Sequence, residues 1–170
     1  MGELWFHIAI VLLLGLSIYQ DFRYRWVGSI YFPMLIALQI GLSCALIGWD
    51  ELWRYTLVNL MLLTLLFLVL TLYFSLRNRK WTNIINKYIG LGDVIFFVFL
   101  SLAFSPFNFL AFFVTSLLVI LIIYFLFVRK DLENYKIPLL GGMAIAYLIV
   151  LCIEYFSEFN RFEDIVLNFY

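Results

Sequence analysis

The chain has 170 residues, 66% of them hydrophobic, 21% aromatic and only 13% charged, with a mean hydropathy of +1.05. A water-soluble domain carries about 25% charged and 45–50% apolar residues, so the composition excludes an ordinary soluble globule. Eleven basic and eleven acidic residues give a formal charge of +0, which offers no basic patch for nucleic acid.

A spanning helix needs about 20 mostly apolar residues. Six segments meet this requirement: 4–20, 28–48, 55–76, 89–105, 107–128 and 137–156. They predict an all-α polytopic membrane bundle, a single domain over residues 1–170. The first segment has no basic n-region, and Ser17-Ile18-Tyr19-Gln20-Asp21 is no small-residue cleavage site, so a retained helix is expected rather than a signal peptide. The long apolar run 89–128 is divided at Ser105-Pro106-Phe107-Asn108, where proline disfavours helix at the preceding residue. A run of that length cannot cross a core of about 30 Å once, so a tight hairpin is expected.

The basic residues sort by loop. Arg23 and Arg25 follow the first segment. Arg77, Arg79, Lys80 and Lys87 follow the third, and Arg129, Lys130 and Lys136 the fifth. Only Arg54 and Arg161 fall on the other side, so the positive-inside rule predicts odd-numbered loops in the cytoplasm and both termini outside. The opposite face, with Glu3, Asp50, Glu51, Glu158, Glu163 and Asp164, reads as a solvated rim. Cys44 and Cys152 lie in apolar runs without CxxC spacing, and His7 has no second ligand near it, so neither zinc nor a disulfide is expected.

Two aspartates stand out. Asp21 closes the first segment and Asp93 opens the fourth, so both are predicted at the same cytoplasmic boundary. An ionisable group at membrane depth costs about 2.5–3.5 kcal/mol by insertion scales, and points to function. Each has a plainer reading alone: Asp21 as a helix-end acid pairing Arg23 or Arg25, Asp93 as a first-turn acid favoured by the helix dipole. Together they can share a proton, because two close carboxylates cannot both ionise cheaply. The ionised member then activates a water while the protonated one polarises a carbonyl, with no metal or cofactor required. Gly90 and Gly92, around Leu91, let backbone or substrate approach Asp93 and loosen the helix start.

These residues resemble the type IV prepilin peptidases and preflagellin peptidases, a family of GxGD membrane aspartyl proteases. Asp21-Phe22-Arg23-Tyr24-Arg25-Trp26-Val27 is similar to the family's first-aspartate motif, and Ile89-Gly90-Leu91-Gly92-Asp93-Val94 to its second. Lys136-Ile137-Pro138 with Gly141 is similar to its late Ile-Pro motif. The resemblance implies that Asp21 and Asp93 form the catalytic dyad, that Gly90 and Gly92 lie beside the substrate, and that Pro138 shapes the cleft. It further implies a prokaryotic cytoplasmic membrane, a prepilin-like substrate with a short basic leader, and no metal. The chain departs from the family at Trp26-Val27-Gly28, where Ile-Pro-Asn is usual, and at Ile95 and Leu139-Leu140-Gly141-Gly142, which bear on substrate preference. The cysteine-rich loop and methyltransferase segment of the larger enzymes are absent, so no N-methylation is expected.

Asp131 and Glu133 are the other acids predicted on the cytoplasmic side, and read as balancing Arg129 and Lys130. The segment from Arg77 to Ile89, with Trp81, Ile84, Ile85 and Tyr88, reads either as an interfacial helix or as a gate over the dyad. Two other classes fit the same acids: a small transporter relaying protons or cations, and a non-catalytic scaffold.

Overall fold

A computed structural model describes residues 2–24, 27–80, 89–127, 139–157 and 159–163. Six helices occupy them: α1 (Gly2–Tyr24), α2 (Tyr31–Ile47), α3 (Trp49–Asn78), α4 (Leu91–Ser101), α5 (Pro106–Phe127) and α6 (Leu139–Phe156). The described residues contain no β-strand. Arg25, Trp26, the segment with Trp81, Ile84, Ile85, Tyr88 and Lys87, and the segment with Asp131, Glu133, Lys136, Ile137 and Pro138 lie outside the described residues.

Four helices, α1, α3, α5 and α6, are long and apolar enough to cross a bilayer. Two are shorter. α2 has 17 residues and α4 has 11, the latter about 16 Å at 1.5 Å per residue. Segment 89–105 was expected to be a full span, but its helix stops at Ser101, and residues Leu102–Ser105 turn inside the bundle. The proline at 106 opens α5, where a missing N–H costs nothing. The expected hairpin is therefore present, built on a half-length first arm.

The turn is buried, with Ala103 and Ser105 at 0% exposure, and backbone at such depth must be satisfied by protein. Side chains of neighbouring helices do this. Asn59 Nδ2 donates to the carbonyls of Ser101 and Phe104 at 2.9 and 3.0 Å, and Ser43 Oγ donates to that of Leu102 at 2.8 Å. A single residue, Gly48, joins α2 to α3; its φ of 81° is a conformation that side chains other than glycine's resist.

Three of the long helices each bury one stripe. Ile10, Leu14 and Ser17 line α1; Leu52, Thr56, Asn59 and Leu63 line α3; Leu140, Ala144, Tyr147 and Leu151 line α6. These steps of three and four residues trace one face of a helix. The rest of α3 and α5 remains apolar and exposed, as at Met61, Leu65, Leu68, Leu72, Leu118, Ile122 and Phe125. Helices apolar on all sides suit lipid rather than water, and Asp50, Glu51, Arg77, Arg79 and Lys80 stand exposed at the two ends of α3.

Candidate functional site

Asp21 continues the buried stripe of α1, four residues beyond Ser17, and so faces the bundle rather than lipid. Asp93 lies in the first turn of α4, one turn before the buried Phe96 and Phe97. Both side chains are half-buried, and each lies within electrostatic reach of the other. The two acids singled out from the sequence are thus brought together.

The N-terminus of α6 unites them. The backbone N–H of Gly141 donates to Asp21 Oδ2 at 2.7 Å, and the neighbouring N–H of Leu140 acts electrostatically on the Asp93 carboxylate. The first N–H groups of a helix have no partner within it and carry its positive end, so they suit carboxylates. Asp93 also accepts from the N–H of Gly90 at 3.2 Å, capping its own helix. The plain first-turn reading of Asp93 is therefore correct as far as it goes, and the same carboxyl group reaches Asp21 and α6 as well. Arg23, one of the two partners considered for Asp21, donates to the Tyr19 hydroxyl and lies over the rings of Tyr19 and Tyr24, and the other, Arg25, lies outside the described residues.

The glycines act through space. Gly90 has φ −67° and ψ 146°, an extended conformation open to any residue, so its dihedral angles do not require glycine. A Cβ at Gly90 would stand 3.1 Å from Asp93 Oδ2, and one at Gly92 would stand 3.3 Å from the Phe32 ring of α2. At Gly141 the crowding is greatest, with Asp21 Oδ2 at 2.9 Å and the Phe22 ring at 2.7 Å. Pro138, expected to shape the cleft, lies outside the described residues.

A latch follows Asp21. Gln20 Oε1 accepts from the N–H of Gly28 at 3.0 Å, and Gln20 Nε2 donates to the Tyr31 hydroxyl at 3.2 Å. Gly28 itself packs so closely on the Tyr31 ring that a Cβ would meet it at 2.9 Å. Sequence reasoning missed this latch; the signal was the glycine that stands where the resembled family has asparagine.

The pair is also recessed. A Cβ at Gly142, beside Gly141, would meet Ile120 of α5 at 2.8 Å, and α5 runs seven residues further to Phe127, about 10 Å. On the other side Phe97 stacks on Phe67 of α3 with ring centroids 6.2 Å apart. Asp93 is one turn above Phe97, whereas α3 continues 11 residues beyond Phe67, again leaving about 10 Å of helix past the aspartate. The two acids lie on a floor made by the ends of α1, α4 and α6, with α3 and α5 rising beside it; α3, with 30 residues, is longer than a bilayer core of about 30 Å requires, so this recess is compatible with acids at the membrane boundary.

Among the described residues no group of three or more His, Cys, Asp or Glu side chains could hold a metal ion. The fold defines a multi-pass helical membrane protein carrying a paired-carboxylate site. Comparison with protein-family models, with curated proteins and with solved structures found no match.

Proposed function

We propose that this chain is a membrane-embedded aspartic endopeptidase, which removes the short basic leader from prepilin-like precursors at the cytoplasmic face of a prokaryotic membrane. The observation that carries this reading is the convergence of Asp21 and Asp93 at the N-terminus of α6, where Asp21 accepts from the Gly141 N–H. Paired carboxylates in a site of low dielectric retain one proton between them. The ionised acid takes a proton from water, the protonated acid polarises the scissile carbonyl, and the proton is returned to the leaving amine. The α6 amides stabilise the single negative charge in place of water. No metal is needed for these steps.

The recess fits an extended substrate. At about 3.3 Å per residue, roughly three extended residues cover the 10 Å between the helix ends and the dyad. Arg77, Arg79 and Lys80 stand at this same end and Asp50 and Glu51 at the other, so the site faces the cytoplasm and both termini face out, with six membrane-embedded helices. Co-expression with a prepilin-like substrate tests the reading. Wild type should shorten the substrate, whereas Asp21→Asn and Asp93→Asn, at matched membrane levels, should each abolish cleavage. Cleavage by all three would sink it.

The recess also favours a second reading, a proton or cation relay, since it sets two acids inside the bundle rather than at its rim. Proton flux into proteoliposomes that is lost in Asp93→Asn, without any peptide cleavage by wild type, would select it.

A further inference from the structure

The opposite end of α6 holds a second polar cluster that the proposed chemistry does not use. Arg161, although it follows the last helix, is fully buried. Its Nη1 donates to the Tyr147 hydroxyl at 2.8 Å and lies 3.5 Å from Glu154 Oε2. The Tyr147 hydroxyl donates to Gln39 Oε1 at 2.9 Å, Gln39 Nε2 donates to Ser43 Oγ at 2.9 Å, and Ser43 holds the buried turn. The Arg161 carbonyl accepts from the Ser105 N–H at 3.1 Å and from Asn108 Nδ2 at 3.0 Å. One residue therefore clasps α6, α2 and the start of α5.

Stability alone does not account for it. Among the described residues, Nε and Nη2 of Arg161 have no hydrogen-bond partner, and burying a guanidinium without full pairing is costly. Replacing such buried ion pairs by apolar groups is often neutral or stabilising, whereas their geometric demands are strict. Tyr147 and Glu154 lie on the stripe of α6 that begins at Leu140, and Tyr147 is six residues from Gly141, about 9 Å along a stiff helix. The other contacts of that stripe, through Met143, Ala144 and Leu151, are apolar. In lipid such contacts gain nothing from water exclusion and tolerate sliding, whereas hydrogen bonds weaken steeply with distance and angle.

We propose that Arg161 is a positioning residue for the aspartate pair: from the far end of α6 it fixes that helix lengthwise, so that its N-terminus, with the Gly141 amide, meets the two carboxylates. Its effect on cleavage rests on the peptidase reading; its effect on geometry does not.

The test is amide hydrogen exchange by NMR on the full chain in detergent micelles, labelled with ¹⁵N-glycine, with Gly15 inside α1, away from the cluster, as the reference. In Arg161→Met the Gly141 amide should exchange about ten-fold faster or more, while Gly15 keeps its rate. Tyr147→Phe, which keeps the ring packing but removes the hydroxyl bonded to Arg161 and Gln39, should do the same and decides the matter if the arginine variant does not fold. Unchanged exchange at Gly141, or equal acceleration at Gly141 and Gly15, would overturn the proposal. With a cleavable substrate, both variants should lower kcat about ten-fold and leave KM unchanged. A wild type that cleaves nothing would count against the peptidase reading and leave the exchange result standing.

Discussion

At the residue scale, the site depends on a position with no side chain. Gly141 offers its N–H to Asp21 at 2.7 Å only because nothing fills the space between α6 and the Phe22 ring. Gly141→Ala should therefore push the proposed dyad apart and lower kcat about 100-fold, the cost typical of a displacement near 1 Å at reacting groups, with KM little changed. Steady-state cleavage in detergent measures this. Gly90→Ala, where the clash with Asp93 is a softer 3.1 Å, should cost less than Gly141→Ala. The aspartates themselves were legible in the sequence, because a charged residue closing an apolar run is conspicuous. Gly141 was visible only through resemblance, since an N–H carries no letter of its own. In the sequence Arg161 stood only as one of two basic residues on the outer side: it follows the last apolar run, and nothing in its neighbours announces that the side chain is buried.

At the element scale, the half-length helix α4 is the feature that most shapes the molecule. Its C-terminal carbonyls end at depth and are met by Asn59 and Ser43 from other helices. Asn59→Leu should leave the Ser101 and Phe104 carbonyls without that donor and destabilise the protein by about 1–3 kcal/mol, read from the unfolding midpoint in mixed micelles. Thr64→Val, whose hydroxyl bonds only the Leu60 carbonyl of its own helix on an exposed face, should change stability by less than about 0.5 kcal/mol. The proline break at 106 and the starts of the long helices could be read from apolar length and punctuation. The early end of α4 could not, because Leu102-Ala103-Phe104 is as apolar as the helix before it; what stops the helix is the tertiary offer of Asn59 and Ser43 side chains. Those residues looked like isolated polar positions within their own segments.

At the scale of the whole molecule, the helix ends are uneven: α3 and α5 stand about 10 Å above the floor that carries the aspartates. The proposed orientation, with the Arg77 end of α3 in the cytoplasm, can be read directly. With Cys44 and Cys152 replaced by alanine, a single cysteine at Arg79 should react with impermeant maleimide only from the cytoplasmic side, and one at Glu163 only from outside. Labelling in the reverse sense would refute the orientation. Apolar segments made the six helices of the described residues readable from sequence. Relative heights were not readable, since they depend on which residues of two helices touch, as Phe67 does Phe97.

The short helix α4 also dictates how the protein can be made. An 11-residue segment is too short to leave a translocation channel as a stable span of its own, and its end needs Asn59 and Ser43 already in place. Biogenesis is therefore ordered: α1 to α3 must be membrane-resident before α4 enters, and α4 enters only as one arm of a hairpin with α5. Asp93 thus reaches the bilayer late, and the site is complete only when α6, synthesised after α4 and α5, brings the Gly141 amide to Asp21.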